Sequence, residues 1–197
     1  MTKALHIMVL FVINTGIVHA GEWNVDKKHP SNKVQFISEV VSLKFDGTSR
    51  NIDGYVYWEG EGPISKGSQF LFVVDMSTFD TGIGKRDHDM RIVLNTREWP
   101  QANFKGTIAD IMPDTSAANT YNAMAQGVFS LHGIEKSVGI PATITVGDST
   151  AYIDADFTIK LQDYKIEAPS LAAFIKVSQE VLISVQVHMK HILQEKK

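Results

Sequence analysis

The chain has 197 residues, 19 basic and 22 acidic side chains, a formal net charge of −3 and no cysteine. Its length suits one domain with a removable end, and 21 % charged against 44 % hydrophobic residues excludes disorder as the main state. The slight acidity gives no footprint for nucleic acid, and the missing cysteine excludes disulfides, thiolate metal sites, a cysteine nucleophile and a lipid-modified N-terminal cysteine.

Lys3, the apolar run Ile7 to Ile13 and then Val18-His19-Ala20 follow the order positive, apolar, small that marks a secretory signal peptide. The run falls well short of the roughly 20 residues that a bilayer span needs. Cleavage near Ala20 is therefore expected, leaving a periplasmic or secreted chain without a stable membrane span. Losing Lys3 moves the net charge from −3 to −4.

Beyond residue 21 the pattern is mostly that of strands. Val34-Gln35-Phe36 starts one and Tyr55-Val56-Tyr57-Trp58 reads as another. Gln69 to Met76 sets Phe70, Phe72 and Val74 on one face and Leu71 and Val73 on the other. Both faces are then covered, or one faces an apolar cavity. Arg86 to Leu94 lacks Gly and Pro and spaces Met90, Val93 and Leu94 as a short helix. Ala102 to Ile111 and Ala125 to His132 are strands, the second turning at Gly133; Pro113 to Asn122 between them reads as a loop.

Val138 to Val146 continues the pattern around Pro141, which cannot donate to a ladder and marks an edge or a bulge. Gly147-Asp148-Ser149 is a hairpin turn. The next strand alternates cleanly, with Ile153, Ala155, Phe157, Ile159 and Leu161 inside and Tyr152, Asp154, Asp156, Thr158 and Lys160 in water. Pro169 to Val177 spaces Leu171, Phe174 and Ile175 as a second short helix, and Val181 to Met189 is the last strand. About eight strands at short spacing predict an all-β, antiparallel sandwich or barrel with one or two short helices.

Three clusters carry ionisable groups. Trp23 to Ser31 contains Asp26 and His29, which in such a position more often hydrogen-bond turn backbone than catalyse. Asp75 to Arg91 contains Asp87, His88 and Asp89; successive helical residues point about 100° apart, so one metal cannot take all three. Capping and pairing of Asp87 with Arg86 is the expected use. His132 ends a strand, where a lone histidine is usually structural. No phosphate loop, nucleophile elbow or zinc-protease motif occurs, so no catalytic residue, cofactor or metal is expected.

An ordered set of motifs resembles one known family. Trp23-x-Val25-Asp26-x-x-His29, Val34-x-Phe36, Asp75-Met76-Ser77-Thr78-Phe79-Asp80-Thr81-Gly82 leading to Arg86-Asp87, and Pro100 with Phe104 come first. Gly127-x-Phe129-Ser130-Leu131-His132-Gly133-Ile134-x-Lys136 and Phe157-x-Ile159-x-Leu161-x-Asp163-Tyr164 follow. Together, over Glu22 to Met189, they resemble YceI-like proteins. That resemblance implies an exported, lipocalin-like, eight-stranded antiparallel barrel holding a polyisoprenoid or similar long apolar lipid. The expected layout is a leader at 1–20, the barrel at 21–190 and a tail at 191–197.

The residues expected to line the barrel are Val34, Phe36, Phe70, Phe72, Val74, Met90, Phe104, Ile108, Phe129, Leu131, Phe157, Ile159, Ile183 and Val185. Arg86, His88 and Arg91 are the candidates for the mouth, holding a head group. An eight-stranded barrel either packs its interior or encloses one small ligand. The expected role is a carrier or store. The alternative is a small enzyme using His132, His88 or Asp87 on an apolar substrate, and a homodimer is left open.

Overall fold

The structure, a computed structural model, describes residues 20–40, 43–60, 62–172 and 175–192. The expected leader lies outside these residues, apart from Ala20. Twelve strands and one helix follow in order: β1 (Ala20–Val25), β2 (Lys33–Val40), β3 (Leu43–Ser49), β4 (Ile52–Glu59), β5 (Gln69–Asp75), α1 (Gly84–Val93), β6 (Gln101–Pro113), β7 (Thr120–Leu131), β8 (Ile134–Val146), β9 (Thr150–Lys160), β10 (Ser170–Ala172), β11 (Ile175–Lys176) and β12 (Glu180–Ile192).

Antiparallel pairing runs through β1, β4, β5, β6, β7, β8, β9 and β12 and returns from β12 to β1, closing a barrel of eight staves. Two staves are built in halves. β12 pairs with β1 through Met189–Ile192 and with β2 through Leu182–Gln186, so β1 and β2 form one interrupted stave. β3 and β4 interrupt the neighbouring stave in the same way, β3 pairing with β2 and β4 with β1. Buried Asn32 secures the first break: its Nδ2 donates to the Asp26 carbonyl and its Oδ1 accepts from the His188 amide, each at 2.8 Å.

The strand pattern translates directly. On β9, Ala151, Ala155 and Ile159 are buried while Asp156, Thr158 and Lys160 are exposed. α1 spans Gly84–Val93, within two residues of its expected limits, and docks through Met90, Val93 and Leu94. The Pro113 to Asn122 loop is shorter than read, because β6 runs to Pro113 and β7 begins at Thr120. The second expected helix is corrected: Pro169 to Val177 contains the two short paired strands β10 and β11. A three-residue apolar spacing over so short a segment does not outweigh local pairing. β12 runs through His191 and Ile192, and the rest of the expected tail lies outside the described residues.

The two ends of the barrel are covered differently. At one, Trp23 stacks on Trp58 with centroids 5.8 Å apart, and their indole N–H groups donate to the carbonyls of Pro63 and Gly62. His191 lies on both rings. At the other, Val93 and Leu94 of α1 join Leu131, Ile159, Tyr164 and Ile166 in one apolar cluster. Tyr164 ends a 3₁₀ turn, Leu161–Tyr164, that follows β9.

Candidate functional site: an apolar cavity with a side window

Between these covers lies a void of about 160 Å³. Of the residues lining it, only Asn103 is polar. Val34, Phe70, Phe72, Val74, Phe104, Ile108, Phe129, Leu131, Phe157, Ile159, Ile183 and Val185 all line it. Phe36 and Met90 do not: Phe36 packs on Phe45 and Phe79, and Met90 braces the core from α1.

Alanine, absent from the expected lining residues although Ala155 reads as inward-facing, makes the room. Ala102, Ala123, Ala125, Ala142 and Ala155 project small side chains from β6, β7, β8 and β9 at positions where Leu or Phe would fill the void. Gly106 and Gly127 face each other across β6 and β7, and a methyl on either would sit 2.1 Å from a neighbouring backbone oxygen. A periodicity argument counts apolar residues and gives no signal for those too small to reach the centre.

One seam of the wall that borders the void is only part-paired. β8 pairs with β9 only through Thr143–Val146 and Ala151–Asp154, although both strands run on beyond that ladder. A recess of about 400 Å³ occupies the split, and Phe129, Ile140, Phe157 and Ile159 line both it and the inner void. Pro141, with no amide to donate, falls in the stretch of β8 that has no β9 partner, which fits the edge character read from it.

The split is a window, because its far end is tied. Leu131 pairs with Ile134 around a two-residue turn in which His132 and Gly133 both have positive φ, +52° and +72°. Such a turn matches the twist of a hairpin. His132 Nδ1 lies 3.1 Å from the Tyr164 carbonyl oxygen and donates to it, holding the hairpin tip to the turn after β9. Phe129 meets Phe157 and Tyr164 edge-on at 5.8 and 5.7 Å, bridging the seam with rings.

The expected mouth residues sit elsewhere. Arg86 Nη2 donates to the Thr81 carbonyl at 2.6 Å and its guanidinium lies over Phe45; Arg91 reaches the Ser77 carbonyl, and His88 is exposed. None of the three lines the void. Asp87 is buried and accepts from the Thr81 amide and hydroxyl, and these bonds hold its carboxyl below the usual carboxylate range. It thus anchors the loop before α1, and Arg86, the expected ion-pair partner, bonds to the same Thr81.

On the outer wall His29 stacks on His188 at 3.6 Å, and Asp26 forms an ion pair with Lys190 at 2.9 Å. Burial, with His29 alongside, lowers the His188 pKa. Burial, with Asp154 accepting its hydroxyl, pushes Tyr152 up to about 12. Among the described residues no three His, Asp or Glu side chains are grouped to hold a metal, and no helix is long and apolar enough to cross a membrane.

Comparison with known proteins agrees with this architecture. The crystal structure of BcnA from Burkholderia cenocepacia is similar, with a TM-score of 0.66 at 20 % identity, covering 83 % of this chain and 98 % of that one. A polyisoprenoid binding domain from Saccharophagus degradans, implicated in plant cell wall breakdown, gives 0.65 at 16 %, covering 85 % and 97 %. The YCEI protein of Campylobacter jejuni gives 0.54 at 14 %, covering 77 % and 85 %. A search among curated protein sequences returned no match. The family model for the YceI-like domain matches residues 23–189, nearly the whole barrel, and the chain belongs to the YceI-like family.

Proposed function

We propose that the protein binds one long apolar lipid of the isoprenoid kind inside the barrel, as a carrier or store, after export directed by residues 1–20. The observation that carries this reading is the chemistry of the void, in which Asn103 alone departs from an apolar lining. Acid–base catalysis needs a titratable group within hydrogen-bond reach of the reacting atoms. His132, His88 and Asp87, the candidates for an enzyme, are respectively tied to a carbonyl, exposed, and bonded to Thr81, and none lines the void. The similar domain from Saccharophagus degradans is described as polyisoprenoid binding, which agrees in ligand class.

The magnitudes suffice without charge. Ten buried methylene equivalents at about 0.8 kcal/mol each give roughly 8 kcal/mol, micromolar affinity before ordering costs. The test is mass spectrometry of lipid extracted from protein purified without detergent, together with uptake of farnesol by the stripped protein. A near-stoichiometric prenyl or alkyl compound is expected. Protein that is always empty and takes up no farnesol refutes the reading.

A further inference from the structure

We propose that the β8–β9 window is the doorway of the cavity and the seat of the ligand's polar end, and that Lys136 and Lys160 select an anionic end group there. This rests on the lipid-binding reading above and adds where the ligand enters and what terminates it. The route follows from continuity. Phe129, Ile140, Phe157 and Ile159 belong to both the void and the recess, so an elongated molecule passes between them without crossing a polar layer. Trp23 and Trp58 stop one end of the barrel, and the cluster of Leu94, Tyr164 and Ile166 covers the other. β3 also has an edge without a strand partner, bridged at Thr48 to Asp80, but no residue of β3 lines the void, whereas at the β8–β9 seam the void and the recess share their lining.

Opening the window is mechanically cheap. The four-pair ladder at its base leaves the opposing edges of β8 and β9 above it unjoined. Phe129 and Phe157 close the gap by an edge-to-face contact, which rotation of either ring breaks without disturbing the backbone ladder.

The recess differs from the void in carrying charge. Lys136 from β8 and Lys160 from β9 line it together with Ser137, Thr158 and Asp163. Lys136 makes no ion pair among the described residues, while Lys160 lies 3.5 Å from Glu180 in an exposed pair of little worth. The two ammonium groups and the hydroxyls suit a phosphate or carboxylate, and Asp163 opposes it.

The experiment measures binding of farnesol and farnesyl phosphate, which share a chain and differ in the end group. The wild type is expected to prefer farnesyl phosphate. Lys136→Gln with Lys160→Gln is expected to weaken that ligand about tenfold and leave farnesol unchanged. Asp163→Asn is expected to tighten farnesyl phosphate. Binding of farnesol without preference for the phosphate, or equal loss of both ligands in the double variant, overturns the head-group assignment while the lipid-binding reading stands. Failure to bind either overturns both.

The doorway has its own test. Because the chain has no cysteine, Ser137→Cys with Thr158→Cys supplies two unique thiols across the seam. Bridging them with a reducible bismaleimide is expected to slow farnesol uptake at least tenfold, and reduction of the linker to restore it. Unchanged uptake with the bridge in place overturns the doorway, and failure of reduction to restore uptake does so as well.

Discussion

Filling the void from within separates its thermodynamic cost from its use. Ala125 projects from β7 into the cavity, with Ile108 of β6 and Ile140 of β8 as its ladder partners, and Ala125→Leu adds three carbons there. At about 24 cal/mol per Å³, the 160 Å³ void costs the empty barrel roughly 4 kcal/mol. Three added carbons at about 0.8 kcal/mol each recover up to roughly 2.4 kcal/mol, within that ceiling. For a domain of this size, that raises the midpoint of thermal unfolding by about 5–10 °C. The same carbons occupy the ligand's space, so farnesol uptake is expected to fall sharply in the more stable protein. Thermal denaturation of the stripped proteins and farnesol titration check the two halves. A loss of stability would mean that the void cannot take a Leu side chain. A gain in stability with full uptake would mean that the ligand does not occupy it.

Two further substitutions probe the wall rather than the void. Gly127→Ala adds one methyl next to the same cavity, yet its Cβ would lie 2.1 Å from the Lys105 carbonyl oxygen and 2.9 Å from the Gly106 Cα. It is expected to cost more than about 2 kcal/mol in denaturant unfolding, because backbone rather than a flexible side chain must yield. His188 gives a pH dependence of definite sign. Its pKa is lowered from 6.5 in the folded state, so the unfolded chain holds more protons just below that value and stability rises with pH there. The His188 contribution is therefore full above pH 6.5 and is lost as pH falls through the folded value. Asp26, Asp87 and Asp114, also lowered from 3.8, lose their contributions only in stronger acid. Denaturant unfolding between pH 7.5 and 5.5 is expected to show a decline that His188→Gln reduces; equal declines in both proteins would refute the assignment.

What the sequence made legible was the order of elements and the inward face of most staves. β9 alternates as read, because a period of two is written directly in residue type, whereas the two apolar faces of β5 left open which one would line the void, and Phe70, Phe72 and Val74 do. Pairing is a different kind of information. Nothing in Val138 to Val146 announces that its far half lacks a β9 partner, apart from Pro141, whose missing amide is tolerated there. The halved staves were illegible for the same reason: β1 and β3 are short, mixed in polarity and defined by what they pair with. The arginines of α1 are candidates for the mouth by charge alone, and their bonds to the Thr81 and Ser77 carbonyls show them bracing a loop instead.

The seam between β12 and the two halves of the first stave fixes the order in which this protein can finish folding. The Asn32–His188 bond joins residues 156 apart in sequence, and every pair that closes the ring spans a comparable length of chain. Such contacts carry a large loop entropy and form late. Until they form, the facing edges of β12 and of β1 and β2 remain open, and strand edges of that kind recruit other chains. With no disulfide to hold the ring once made, its permanence lies in the rate at which β12 detaches, so a lipid packed against Ile183, Val185 and Val187 of that strand would act as a kinetic clasp.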